Sequence, residues 1–119
     1  MTSIHAYDPA SGAVPPEPPP MTIANLAVGV VDMMSDADHL PQPCLISIHD
    51  GSQSVDLLFA SVKASVRALT RWALRFGAVL ISEPHQGEHG QETWYRVRFD
   101  YYGIAVNAFA HIPAEPAAT

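Results

Sequence analysis

From Thr93 to Ile112, apolar and polar residues alternate in two runs that meet at Tyr102-Gly103. In the first run Tyr95, Val97, Phe99 and Tyr101 fall on one side, with Trp94, Arg96, Arg98 and Asp100 on the other. In the second, Ile104, Val106, Ala108, Ala110 and Ile112 oppose Asn107, Phe109 and His111. A period of two is the signature of a β-strand, and two such strands joined by a tight turn share one apolar face. That face has to be buried, and in a chain of 119 residues the cover comes from the rest of the same domain.

Two helical patterns offer the cover. Ile23, Leu26, Ala27, Val30, Val31 and Met34 recur at helical spacing behind Thr22, a residue suited to capping, and Pro41 and Pro43 forbid continuation. A longer helix is predicted over 55–76, with Val55, Phe59, Val62, Val66, Leu69, Ala73 and Phe76 on one stripe. Ser54 is its expected N-cap, Asp56 lies in its first turn, and Gly77 is its expected left-handed stop. Leu57, Ala60, Ala64 and Ala68 project onto its back, where small side chains admit a neighbouring helix. Cys44 to His49 reads as a strand closed by Asp50-Gly51-Ser52, and Ala78 to Glu83 as a second. Pro84 to Gly90 is a polar, glycine-containing hairpin loop.

The expected fold is therefore α+β, in the order α-β-α-β-β-β. It is a two-layer sandwich with a four-stranded mixed sheet and two helices on one face. The strands flanking the long helix are parallel, and the last three form an antiparallel meander. Residues 1–20, with the run Val14-Pro15-Pro16-Glu17-Pro18-Pro19-Pro20, read as a disordered Pro-rich leader, 21–112 as one domain, and 113–119 as a flexible tail.

The segments Asp38-His39-Leu40-Pro41-Gln42-Pro43, Phe76-Gly77-Ala78 and Phe99-Asp100-Tyr101-Tyr102-Gly103-Ile104-Ala105-Val106 give the chain a layout that resembles small uncharacterised proteins of actinobacteria and their phages, over roughly residues 22–112. The resemblance implies a setting on an actinobacterial chromosome or mobile element, and with it a regulator or inhibitor of a host system. It carries no site residues.

Composition and motifs exclude several chemistries. Cys44 is the single cysteine, which rules out an intramolecular disulfide framework and a cysteine-based zinc cluster, and fits a reducing cytoplasm. Apolar runs are interrupted well short of the ~20 residues of a membrane span, and no basic, then apolar, secretory signal opens the chain. His85 and His89, with Glu88 between them, have a ligand spacing only if a helix presents both rings, and Pro84, Gly87 and Gly90 oppose a helix there. Cys44 reads as a small strand residue, and no serine sits in a nucleophile elbow. No catalytic residue, cofactor or metal is expected.

Charge supplies the most specific signal. The chain has six basic and twelve acidic residues, a net charge of -6. Four of the six basic residues, Lys63, Arg67, Arg71 and Arg75, recur every fourth position, and Asp56 is the one acid within 55–76, which leaves that segment at +3. Exposed helices ordinarily mix signs, because like charges four residues apart repel. Acids elsewhere in the domain, an acidic protein partner, or nucleic-acid phosphates would each account for the row, although DNA is repelled by the surrounding acidic field. The second set is the polar side of the alternating strands, Trp94, Arg96, Arg98 and Phe109 together with Asn107 and His111. Aromatic and arginine residues of this kind are enriched at protein interfaces and also stack single-stranded bases. The expectation is a non-enzymatic macromolecular interaction module that pairs into a homodimer through the sheet and takes an acidic protein partner. A nucleic-acid-binding module using both sets, and a small-molecule or enzymatic domain between hairpin loop and helix, stand as alternatives.

Overall fold

A computed structural model of the chain describes residues 22–49, 51–88 and 90–114. The expected leader at 1–20 and His89 lie outside the described residues, as do the last five positions. Seven elements follow one another: α1 (Ile23–Asp36), β1 (Leu45–His49), β2 (Ser54–Leu58), α2 (Ala64–Phe76), β3 (Leu80–Gly87), β4 (Gly90–Tyr101) and β5 (Ile104–Pro113). The fold is α+β, and its mixed sheet has five strands in the order β1-β2-β5-β4-β3. Only β2 and β5 pair in parallel; the other neighbours are antiparallel.

The fifth strand corrects the reading of the long helix. Ser54–Leu58 is extended, so Ser54 caps nothing and Asp56 lies in a strand; α2 starts ten residues later, at Ala64. Val55 and Leu57 are fully buried on one side of β2, between β1 and β5, and Asp56 and Leu58 lie on the other. Strand pairing on both sides overrides the helical spacing that Val55 and Phe59 share with Val62. Leu57 is therefore core rather than helix back, and Ala68 also faces inward. The turn into α2 is fixed locally. The Ser65 hydroxyl donates to the Ala60 carbonyl at 2.5 Å, and Lys63 stands at the N-cap without a side-chain capping bond.

The strands expected to run parallel across the long helix, β1 and β3, instead stand at opposite edges of the sheet and run in opposite directions, whereas the caps at Thr22 and Gly77 and the β4–β5 turn agree with expectation. The Thr22 hydroxyl accepts the Asn25 N–H and opens α1. Gly77 ends α2 with φ of 67°, and Tyr102 and Gly103, both at positive φ, join β4 to β5. The hairpin loop is shorter than expected: β3 runs on to Gly87 and β4 starts at Gly90, so Pro84 and His85 are strand residues. Pro84 is tolerated because β3 is an edge strand. Pro113 closes β5 instead of opening a tail.

Both helices cover the same sheet face. Leu26, Val30 and Met33 of α1 and Leu69, Trp72 and Ala73 of α2 form one core with Val55, Leu57, Val97, Ile104, Val106 and Ala108. Trp72 is fully buried and is the largest side chain in that core. Its ring meets Phe59 edge-on at 6.0 Å and stacks on Phe76 at 5.6 Å, and Phe76 stacks on Phe99 at 4.4 Å. The Trp72 Nε1–H donates to the Pro41 carbonyl at 2.7 Å, which ties the segment after α1 to α2. At the far end of α1 the Tyr101 hydroxyl donates to Asp36 Oδ2 at 2.5 Å.

Trp72→Ala should lower unfolding free energy by ~3–5 kcal/mol, and Trp72→Phe by clearly less, since it keeps most of the ring contacts; denaturant titration reads both. The hydrogen bond to Asp36, reinforced by burial and by the carboxylate's charge, pushes the Tyr101 phenol up to about 12 from an ordinary value of 10.0. Folding thus favours the neutral phenol. The stability it contributes is complete below pH 10 and is lost as pH rises through about 12. The stability difference between the wild type and Tyr101→Phe should therefore shrink from pH 10 to pH 12; a difference constant across that window contradicts the assignment.

Candidate interaction surfaces

Covering one sheet face with both helices leaves α2 with an outward back. Its thirteen residues carry Arg67, Arg71 and Arg75 and no acidic residue. A step of four residues advances about 40° beyond one turn, so the three guanidinium groups form a slowly winding ridge. All three are exposed, as is Lys63 at the N-cap. Arg71 Nη2 donates to the His39 carbonyl at 3.3 Å, and the Arg75 guanidinium lies 5.0 Å from the Phe76 ring centre. Arg75 also occupies the last turn, where positive charge opposes the negative end of the helix dipole. Among the described residues, ion pairs join His39 to Asp38, His49 to Asp56 and Arg96 to Glu83, and none involves Arg67, Arg71 or Arg75. Carboxylates of the described residues thus do not neutralise these three arginines. Leu74, 78 % exposed, adds an apolar side chain to the same outward surface.

The second surface is the sheet face turned away from the helices. Register sets its rows. Leu45, Leu58, Phe109, Arg96 and Ile81 lie across all five strands, and Ser47, Asp56, Asn107 and Arg98 across four. Trp94 lies beside His111 of β5, with Glu83 of β3 on its other flank. The candidate residues Trp94, Arg96, Arg98 and Phe109 therefore share one surface, as the alternation implied.

The contacts within that surface change what it can do. His85 stacks on one face of the Trp94 indole at 3.8 Å and His111 on the other at 4.2 Å. Phe109 follows His111 at 5.3 Å. The Trp94 Nε1–H donates to Glu92 Oε1 at 2.6 Å, and Arg96 Nη2 donates to Glu83. Both π-faces of the indole are thus occupied, and a nucleic-acid base would have to displace an imidazole before it could stack there. Across β1, β2 and β5, His49 Nε2 and Asp56 Oδ2 lie 3.2 Å apart, and Asn107 Nδ2 approaches Asp56 Oδ1 at 3.5 Å. Arg96 Nε and Asn107 Oδ1 are shielded without a hydrogen-bond partner. Asp56, Glu83, Glu92 and Asp100 outnumber Arg96 and Arg98 on this face, so it is no cationic platform.

The ridge and the sheet face lie on opposite sides of the molecule, with the core between them. A nucleic acid cannot lie flat on both. Sequence reasoning missed the imidazole–indole stack because His85 was assigned to a loop; the signal was present in the Glu83/His85 alternation, which continues the outer side of β3. A depression between α1 and the β4–β5 turn is lined by Asn25, Val28, Gly29, Asp32, Tyr101, Tyr102 and Ile104. It lies away from the expected concavity between hairpin and helix. Among the described residues, no group of three or more His, Cys, Asp or Glu side chains is placed to hold a metal ion, and no helix is long and apolar enough to cross a membrane. Neither a scan against protein-family models nor a search of curated proteins found a match to the chain.

Proposed function

We propose that this chain is a non-enzymatic interaction module that captures an acidic protein surface on the back of α2 and works as a homodimer. The observation that carries the reading is the ridge of Arg67, Arg71 and Arg75. These are three exposed arginines without carboxylate partners among the described residues, on a chain whose net charge is -6. Packing α2 against the sheet does not require them, since the core uses Leu69, Trp72 and Ala73. Three like charges at successive steps of four repel one another, and an acidic counter-surface removes that cost. The flanking Leu74 supplies apolar contact beside the charges, the combination from which protein interfaces are built. In the actinobacterial or phage-like setting that the layout resembles, a regulator or inhibitor of a host protein would use such a surface.

A labelled hexaglutamate peptide and a single-stranded oligonucleotide of equal charge discriminate the classes. The peptide should bind with an affinity that falls as salt rises, and Arg67→Glu, Arg71→Glu and Arg75→Glu together should abolish it with the circular-dichroism spectrum unchanged. The same triple variant used as bait should lose the acidic proteins that the wild type retains from a bacterial lysate. Peptide binding that survives charge reversal excludes the ridge, and an oligonucleotide that binds more tightly than the peptide returns the chain to the nucleic-acid class.

A further inference from the structure

We infer that the partner element received by the back of α2 is itself an α-helix, amphipathic, with carboxylates at every fourth residue beside a row of apolar side chains. The inference rests on the acidic-partner reading above and names the form in which that acid is presented.

The outward half of α2 carries two rows. Ser65, Ala68, Leu69, Trp72 and Ala73 are its buried residues. Val66, Thr70 and Leu74 form one row, and each is followed directly by a member of the other, Arg67, Arg71 and Arg75. At about 100° per residue, the two rows lie side by side on either side of the outermost line of the helix. Thr70 comes three residues after Arg67 and Leu74 three after Arg71, the spacing at which side chains on a helix surface are neighbours. Val66 is half-buried and Leu74 exposed, and the Thr70 hydroxyl donates to the Val66 carbonyl at 2.8 Å, so its hydrogen is used inside the helix. Where the apolar row begins, a depression of about 640 Å³ opens among Lys63, Ala64, Val66, Arg67 and Thr70. The face thus combines an apolar strip, a seat at one end of it, and guanidinium groups alongside.

Charge and hydrogen bonding select the occupant. Rows at i, i+4 advance ~6 Å per step, and when two helices interdigitate such rows, crossing at about −50°, the rows of both run parallel. A carboxylate row on a partner helix then follows Arg67, Arg71 and Arg75 along the ~12 Å that they span. Its apolar row meets Val66, Thr70 and Leu74 and sets one side chain in the depression, as interface anchors do. An extended peptide lacks this fit. It needs main-chain hydrogen bonds along its length, and the peptide groups within α2 bond to one another, whereas a helical partner satisfies its own. Both aromatic residues of α2, Trp72 and Phe76, are stacked toward the core, which leaves its outward rows without a ring for a nucleic-acid base. The chain's net charge of -6 repels a uniformly acidic surface, and acid confined to one row of a helix keeps that repulsion small.

Two synthetic peptides of ~20 residues, long enough to hold a helix once docked, test this by fluorescence anisotropy and circular dichroism with the full chain. Both share one composition of Glu, Leu, Ala and Gln. In the patterned peptide Glu and Leu each recur every fourth residue on adjacent rows; in the other the order is scrambled. The patterned peptide should bind at least ~10-fold more tightly, the scale of one leucine withdrawn from water, and should gain helical signal on binding. Leu74→Ser should remove most of that advantage and leave hexaglutamate binding unchanged. Equal affinity for the two peptides, binding without a gain in helix, or an advantage that survives Leu74→Ser overturns the helical partner while the acidic-partner reading stands. Failure of both peptides and of hexaglutamate to bind in low salt overturns that reading and this inference together.

Discussion

The architecture depends on how Trp72 is seated. A fully buried indole in α2 contacts Phe59 from the end of β2, stacks on Phe76, and hydrogen-bonds the Pro41 carbonyl in the segment that follows α1. One side chain thereby fixes the rotation of α2 about its axis relative to the sheet and the position of α1 relative to α2. Once Leu69, Trp72 and Ala73 point inward, geometry places Arg67, Arg71 and Arg75 outward. The outward placement of the cationic ridge is thus a consequence of core packing.

The same packing divides the molecule into two unlike surfaces. On the helix side, Arg67, Arg71 and Arg75 stand without carboxylate partners among the described residues. On the sheet side the charges are mixed and largely engaged with one another, and Trp94 is closed between His85 and His111. Enrichment in aromatic residues and arginine is therefore not sufficient to mark a working surface. The occupied π-faces of Trp94 and the Arg96–Glu83 pair leave the sheet face less open to a new partner than the ridge.

Much of this was legible in the residues. Alternation across 93–112 identified β4, β5 and their buried side, because a period of two has no helical counterpart over runs of that length. The caps at Thr22 and Gly77 marked two helix ends through local chemistry alone. The failure at 54–63 has a physical cause. The segment contains no glycine or proline, and Val55, Phe59 and Val62 satisfy a helical spacing, so nothing local separated strand from helix. The discriminating signal was tertiary in origin yet visible: a strand ending in Asp50-Gly51-Ser52 is half of a hairpin, and Val55 and Leu57 alternate as its return. The full burial of Trp72 was hidden because the expected stripe through Val66, Leu69, Ala73 and Phe76, which the core does use, left it out. His85 was obscured by Pro84, which reads as a breaker but is admissible on an edge strand.

The central claim is that the back of α2 is where this protein meets an acidic partner. Backbone amide chemical-shift mapping on the full chain, titrated with hexaglutamate, addresses it residue by residue. The account predicts perturbations along α2 at Arg67, Arg71 and Arg75 and around His39, with the amides of Trp94, Asn107 and Phe109 unmoved. Perturbations confined to the sheet face, or an unchanged spectrum at saturating peptide in low salt, would contradict it.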